Sequence, residues 1–354
     1  MTTLNHALDC ICSLYSQIVE QPTRLVPTLL GAPGIGKTTG LKELGPRICA
    51  ENNIDPDDYE FVEVRLADMD PTEICGIPFV VDGTVQHLKP AWFPKKNHGM
   101  IYLTEYGQAM TATQNASTSI MREMKAGPWE IPPGFMVVAD TNRKKDKAGI
   151  AARIPTHVQD RMIQFHIVSD VKTSQQYAIE NDWHEVIPYY WNYRPENLNK
   201  INDEGFGATQ RSWEFVSDIK KADHNPDVET TLILATIGEE IGTDYLAFET
   251  VFELLPNIGE LIADPMGAAI DHKPNVMYAL MGALSTAMAR DYNKATAVIK
   301  YLDRIEQEWA FACIADAQRF NTHLINSASK NCAGILGKSP AYTEWLVAHK
   351  DVYL

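Results

Sequence analysis

Residues 24–39 read RLVPTLLGAPGIGKTT. The first seven are a short apolar run of the kind buried as a strand, and the glycine-rich stretch that follows opens onto a segment of helical composition. Gly31, Ala32, Pro33, Gly34, Ile35, Gly36, Lys37 and Thr38 satisfy G-x-x-x-x-G-K-[ST], and Thr39 continues the turn into the helix. Each position has a physical task. The glycines let backbone N–H groups approach phosphate oxygens, Lys37 reaches the terminal phosphates, and the Thr38 hydroxyl is placed to ligate Mg²⁺. A glycine-rich turn arising by chance lacks this strand-before, helix-after context, so the stretch predicts a nucleoside triphosphate site. The helix is expected to run from about Thr38 to the breaker Gly45-Pro46.

Outward from the loop, strands alternate with helices. YEFVEVRLA (59–67), MIYLTE (100–105), FMVVADTN (135–142) and MIQFHIV (162–168) read as further strands, and residues 108–124 as a helix. IPFVVDGTVQHL (77–88) carries Asp82-Gly83 between two extended runs, the signal of a tight hairpin. Leu4, Leu8, Ile11, Leu14, Tyr15 and Ile18 recur at helical spacing before the loop. This alternation predicts an α/β fold with a parallel sheet covered on both faces and ligands at the carboxyl ends of its strands. After Asp170 the pattern is helical, in VKTSQQYAIENDW, SWEFVSDIKKA, VETTLILATIGEEIG and YLAFETVFELL, then in VMYALMGALSTAMA and EWAFACIADAQRF. The expected division is residues 1–169 as the nucleotide-binding part, 170–262 as a helical domain and 263–354 as a helical extension.

Composition narrows the partners. Against 31 Lys+Arg stand 46 Asp+Glu, a formal charge of −15, which repels a phosphate backbone over most of the surface and makes nucleic acid a disfavoured partner. The basic exceptions, Lys95-Lys96 and Arg143-Lys144-Lys145 with Lys147, are short. Six scattered cysteines form no C-x-x-C pair, and the ten histidines form no HExxH, so neither group suggests a metal. Cys10 and Cys12 point in different directions on a helix and read as packing residues. The scattered cysteines fit a reducing, cytoplasmic compartment, and a chain without a basic leader or a run long enough to span a bilayer is expected to be soluble.

The chain resembles the AAA+ ATPases, and within them the MoxR-like and dynein-related branch, over about residues 25–260. Beyond the loop, four stretches carry the resemblance. YLTE (102–105) stands at the Walker B position, and ICGIPFVVDGTVQHLKPAWFP (74–94) looks like the hairpin this branch inserts near the ring's pore. VVADTNRKKDKAGIAARIPTHVQDRMIQFHI (137–167) is similar to the sensor 1 strand and the D-R-F-type segment; GATQRSWEFV (207–216) is similar to sensor 2, with Gln210 in place of the usual Pro. The resemblance implies a P-loop core, an α-helical lid and an α-helical C-terminal extension, binding ATP with Mg²⁺. It implies that Glu105 is the general base, Asn142 the sensor 1 residue, Arg161 an arginine finger acting in trans and Arg211 the sensor 2 arginine. Cationic groups are needed there because negative charge spreads over the transferred phosphoryl oxygens. Spacing alone assigns neither arginine, and Arg143 and Arg153 compete with Arg161. Apart from the resemblance, Glu105 would read as a solvated strand end and Asn142 as a turn residue. The resemblance further implies a ring, a hexamer, acting on a protein partner of the kind that carries a von Willebrand A-type domain.

One departure stands out. Thr104 occupies the place of the Walker B Asp, while Ala139-Asp140-Thr141-Asn142 places a carboxylate where the sensor 1 strand usually has Thr. Side chains two apart share a face, so Asp140 is expected to point toward the metal side and, with Thr38 and Thr104, to complete the Mg²⁺ surroundings. The competing reading is that Asp140 pairs with a nearby Lys or Arg and that hydrolysis is slow. Two further function classes follow: a nucleotide-gated scaffold with little hydrolysis, and a nucleic-acid-associated motor. Trp92 and Phe93, beyond the hairpin, read as packing residues, and the small acidic tip favours local remodelling over threading.

Overall fold

The computed structural model describes residues 2–20, 25–143, 154–202, 205–253, 255, 258–326 and 332–350. Lys144, Lys145, Lys147 and Arg153 lie outside them. Two compact units result, Met1–Asp170 with Ile201–Gly205, and Val171–Lys200 with Phe206–Leu354.

In the first unit the strands are β1 (Val26–Leu30), β2 (Tyr59–Arg65), the hairpin β3 (Pro78–Val81) and β4 (Thr84–His87), β5 (His98–Thr104), a two-residue pair β6 (Lys125–Ala126) and β7 (Trp129–Glu130), β8 (Gly134–Thr141) and β9 (Met162–His166). Five of them form one parallel sheet in the order β2-β5-β8-β1-β9. The β8 strand thus lies between the strand that feeds the glycine-rich loop and the strand ending in Thr104, as the resemblance requires. Pro27 is tolerated inside β1 because pairing with β8 begins only at Thr28. At the hairpin, Asp82 and Gly83 both take positive φ (48° and 74°), the conformation that a two-residue turn matched to strand twist demands.

Period-two alternation sorts the sheet residues into two cores. Leu29, Met100, Tyr102, Met136 and Val138 face α1 (Leu4–Glu20) and α2 (Lys37–Asn52), meeting Leu8, Ile11, Leu41 and Ile48. Val64, Ile101, Leu103, Val137 and Ala139 face the other way, toward Ile120 and Met121 of α4 (Thr111–Glu123), with α3 (Pro71–Cys75) alongside. Short α5 (Thr156–Gln159) precedes β9. Phe93 is buried in the second core and Trp92 packs against it. The fold class is therefore the expected one, an α/β phosphate-loop core on a parallel sheet followed by a helical region.

The α2 helix corrects one expectation, since it runs through Gly45-Pro46 to Asn52. Pro46 forfeits the bond to the Lys42 carbonyl, but Leu44, Gly45, Ile48 and Cys49 are all buried on the same helix, and their packing outweighs the local signal.

The second unit is helical: α6 (Val171–Glu180), α7 (Val186–Tyr193), α8 (Gln210–Lys221), α9 (Pro226–Ile237), α10 (Glu239–Glu253), α11 (Ile258–Ala263), α12 (Pro274–Arg290), α13 (Ala295–Leu302), α14 (Gln307–Asn326) and α15 (Pro340–Ala348). An aromatic core gathers Trp183, Tyr190, Trp191, Trp213, Tyr245 and Phe248. A second core gathers Leu280, Leu284, Met288, Val298, Leu302 and Ile314. The α12 helix serves both, through Ala279 and Leu280. VETTLILATIGEEIG, helical in pattern throughout, falls into two helices, because Gly238 at φ 91° leaves the helical region between α9 and α10. Among the described residues no helix is long and apolar enough to cross a membrane.

Candidate nucleotide site

The glycine-rich loop leaves the carboxyl end of β1 and enters α2 with Gly34 at φ 72° and Gly36 at φ 83°, left-handed positions where a side chain is disfavoured. Gly36 is the N-cap of α2 and offers no side-chain acceptor, so the first-turn N–H groups remain available for an anion, reinforced by the helix dipole. Gly31 has no room for a side chain: a Cβ there would stand 2.5 Å from Ile35 Cδ1 and 3.1 Å from Ile167 Cβ. The loop is thus wedged against the residue that follows β9.

Lys37 is buried, and its ammonium donates to the carbonyls of Gly31 at 2.9 Å and Ala32 at 3.0 Å and to Asn142 Oδ1 at 3.4 Å. It also lies 3.4 Å from Asp140 Oδ2. The second carboxylate oxygen, Asp140 Oδ1, accepts from the backbone N–H of Glu105 at 2.9 Å. Register explains this meeting. Leu29 on β1 pairs with Asp140, while Leu103 on β5 pairs with Ala139, so the ends of three adjacent strands bring Asp140 beside both the loop and Thr104. Asp140 therefore does pair with a lysine, and that lysine is the loop's own Lys37.

The three residues expected around a cation are Thr38, Thr104 and Asp140. Thr38 Oγ1 is 3.3 Å from the hydroxyl of Tyr102, and Thr104 is buried at the end of β5. These are hard oxygen donors with a single carboxylate. Among the described residues no group of three or more His, Cys, Asp or Glu could hold a metal by itself. Such a sparse set fits Mg²⁺, which keeps its waters and shares its shell with substrate phosphates instead of occupying an all-protein cage.

Glu105 is exposed and takes φ 59°, ψ 37°, a left-handed conformation uncommon for a side-chain-bearing residue. Asn142, half-buried just past β8, touches Lys37 as given above. Arg161 is half-buried and lies at the opposite edge of the sheet: its carbonyl accepts from Val26 N at 2.8 Å, where β1 begins. Arg143 follows Asn142 and is half-buried. Arg211 belongs to the other unit, exposed in the first turn of α8 behind the N-cap Thr209, where a cation gains nothing from the helix dipole.

Tyr102 is the site residue that the sequence reading left out. Burial first, and the neighbouring Asp140 charge next, push its phenol above the ordinary value. The signal available was its position two residues before Thr104, on the same face of the strand.

No protein-family model matches the chain, and no curated protein matches it either. Among solved structures it is similar to NtrX from Brucella abortus in complex with ATP, at 13% identity, 91% of this chain, 68% of that chain and a TM-score of 0.37. It is similar also to a DNA polymerase III gamma subunit-related protein from Thermotoga maritima, at 9% identity, 90% and 83% of the two chains and a TM-score of 0.34. A RuvB variant from Thermotoga maritima gives 12% identity, 78% and 81% of the two chains and a TM-score of 0.30. The strand order, not these likenesses, defines the fold.

Proposed function

We propose that the chain is an AAA+ ATPase of the MoxR-like and dynein-related type, which binds and hydrolyses ATP in a ring and uses the work to remodel or activate a protein partner. The observation that carries this reading is the Asp140 carboxylate, hydrogen-bonded to the Glu105 backbone on one side and ion-paired with Lys37 on the other. A Thr at position 104 removes the usual carboxylate from the Walker B strand, and Asp140 supplies one from the adjacent strand at the same end of the sheet.

The residues divide the task. Backbone N–H groups of residues 34–39 and the Lys37 ammonium would hold the ATP phosphates; Thr38, Thr104 and Asp140 would surround the cation. Bound there, Mg²⁺ would neutralise phosphate charge as the terminal bond breaks. Glu105 orients the attacking water as general base, and Asn142 holds that water or the γ-phosphate. Arg161 reaches a neighbouring subunit's site, and Arg211 contacts the phosphates from the helical lid, where residues 170–262 would act as lid and 263–354 as extension. The hexameric ring and the von Willebrand A-type partner are part of the proposal, as is a cytoplasmic location. Val80 and Val85, 72% and 64% exposed beside the hairpin tip, give the hairpin an apolar face for a protein client.

The test is ATP turnover by Asp140→Asn. Loss of the carboxylate is expected to lower the rate by about tenfold or more, the usual scale for residues that orient a metal's ligands. A rate close to wild type rejects the compensation. Thr104 and the Lys37–Asp140 pair favour one second reading, a nucleotide-gated scaffold; nucleotide-dependent assembly of the wild-type chain without phosphate release would select it.

A further inference from the structure

Tyr102 is 0% exposed, and its hydroxyl ends at the site, 3.3 Å from Thr38 Oγ1. Thr104 on the same strand and Asp140 on the adjacent one stand at the same end of the sheet. Either hydroxyl can give the proton of the Tyr102–Thr38 contact, and in both cases the contact sets the direction in which the Thr38 hydroxyl turns. Whichever donates, Thr38 keeps a lone pair for the side of the loop.

We propose that Tyr102 is a positioning residue for the cation site: its buried hydroxyl holds the Thr38 hydroxyl in the orientation that leaves a lone pair for Mg²⁺. This rests on the reading of the loop as an Mg²⁺–ATP site. Tyr102 spans the gap between β5 and α2 that a shorter side chain would leave open.

The experiment compares Tyr102→Phe with wild type for ADP binding in EDTA and with Mg²⁺, and for Mn²⁺ bound in the presence of ADP by electron paramagnetic resonance. Metal-free ADP affinity should stay within about twofold, because the loop and Lys37 are untouched, while the gain in affinity on adding Mg²⁺ should fall by roughly tenfold. Phe keeps the ring in its packed place, so only the hydroxyl is lost. In a Thr38→Ala background, removing the Tyr102 hydroxyl should cost nothing more. An unchanged Mg²⁺ gain in Tyr102→Phe, or equal losses with and without metal, overturns the proposal. Failure of the underlying reading looks different: wild type itself would bind no ADP.

Discussion

At the scale of single residues, Glu105 carries an opposition between stability and chemistry. Its left-handed backbone costs about 1 kcal/mol, and that conformation is the one in which its N–H meets Asp140 Oδ1. Glu105→Gln is expected to retain the fold and nucleotide binding while lowering phosphate release by about a hundredfold or more, the scale of general-base removal. Glu105→Gly should be inactive yet more stable by about 1 kcal/mol in thermal unfolding. Full turnover in the Gln variant would remove Glu105 from the role of base. The place of the loop between β1 and α2 was legible in the sequence because its pattern is encoded at fixed local spacing, from Gly31 to Thr38. The direction of Asp140 was legible from strand alternation. The Lys37–Asp140 pair and the Tyr102–Thr38 contact were not, because each crosses between elements whose relative register is set by packing and by no local pattern.

At the scale of elements, legibility failed where tertiary packing overrode a breaker and where a glycine inside a helical pattern proved to be one. Pro46 is exposed in the middle of α2, whose buried face is continuous from Leu41 to Cys49. Pro46→Ala should therefore restore a helix hydrogen bond and raise the unfolding midpoint, by about 1 kcal/mol. A lower midpoint would mean that the local bend is required for packing. Gly238, by contrast, ends α9 in fact, since its φ of 91° suits few other residues. Between the helices of the second unit lies a half-buried polar group with its own signature. The His184 backbone N–H donates to Ser217 Oγ at 2.8 Å, and its ring lies 3.4 Å from the Tyr245 hydroxyl and 4.0 Å from Glu249 Oε1. Lys220, bonded to Glu229 at 2.6 Å and Glu249 at 3.0 Å, faces the same pocket. Burial, and then the Lys220 charge, hold His184 down to about 4. The folded state thus keeps the ring neutral, while the unfolded chain takes up the proton near pH 6.5. Stability from this residue is complete above pH 6.5 and is lost as pH falls toward 4, by up to about 3 kcal/mol. Glu249, pushed up by burial, works in the opposite direction and offsets part of the loss. Urea midpoints between pH 7.5 and 4.5 should show the decline, and His184→Gln should flatten it; an equal slope in both proteins would place its origin elsewhere.

At the scale of the whole molecule, the sheet itself separates the two halves of the proposed chemistry. The glycine-rich loop begins at Gly31, beyond the carboxyl end of β1, whereas Arg161 bonds to the amino end of that strand through Val26. A strand of this length puts roughly 16 Å between those edges. The Arg161 backbone therefore starts about a strand's length from its own loop, and the catalytic role proposed for it calls on a second copy. Cyclic assembly makes the requirement testable, because each interface would combine one subunit's loop with the next subunit's arginine. Lys37→Ala and Arg161→Ala should each abolish turnover alone. Mixed in equal amounts and allowed to exchange subunits, they should regain activity, because a Lys37→Ala subunit still offers Arg161 to a neighbour whose loop is intact. Random mixing pairs an intact loop with an intact arginine at about a quarter of interfaces, so recovery toward about a quarter of wild-type turnover is expected for independent sites. Recovery well below that would point to coupling between successive sites. No recovery, with subunit exchange confirmed by a fluorescent label, would place Arg161 outside the shared site and leave Arg143 as the candidate nearest Asn142 in the chain.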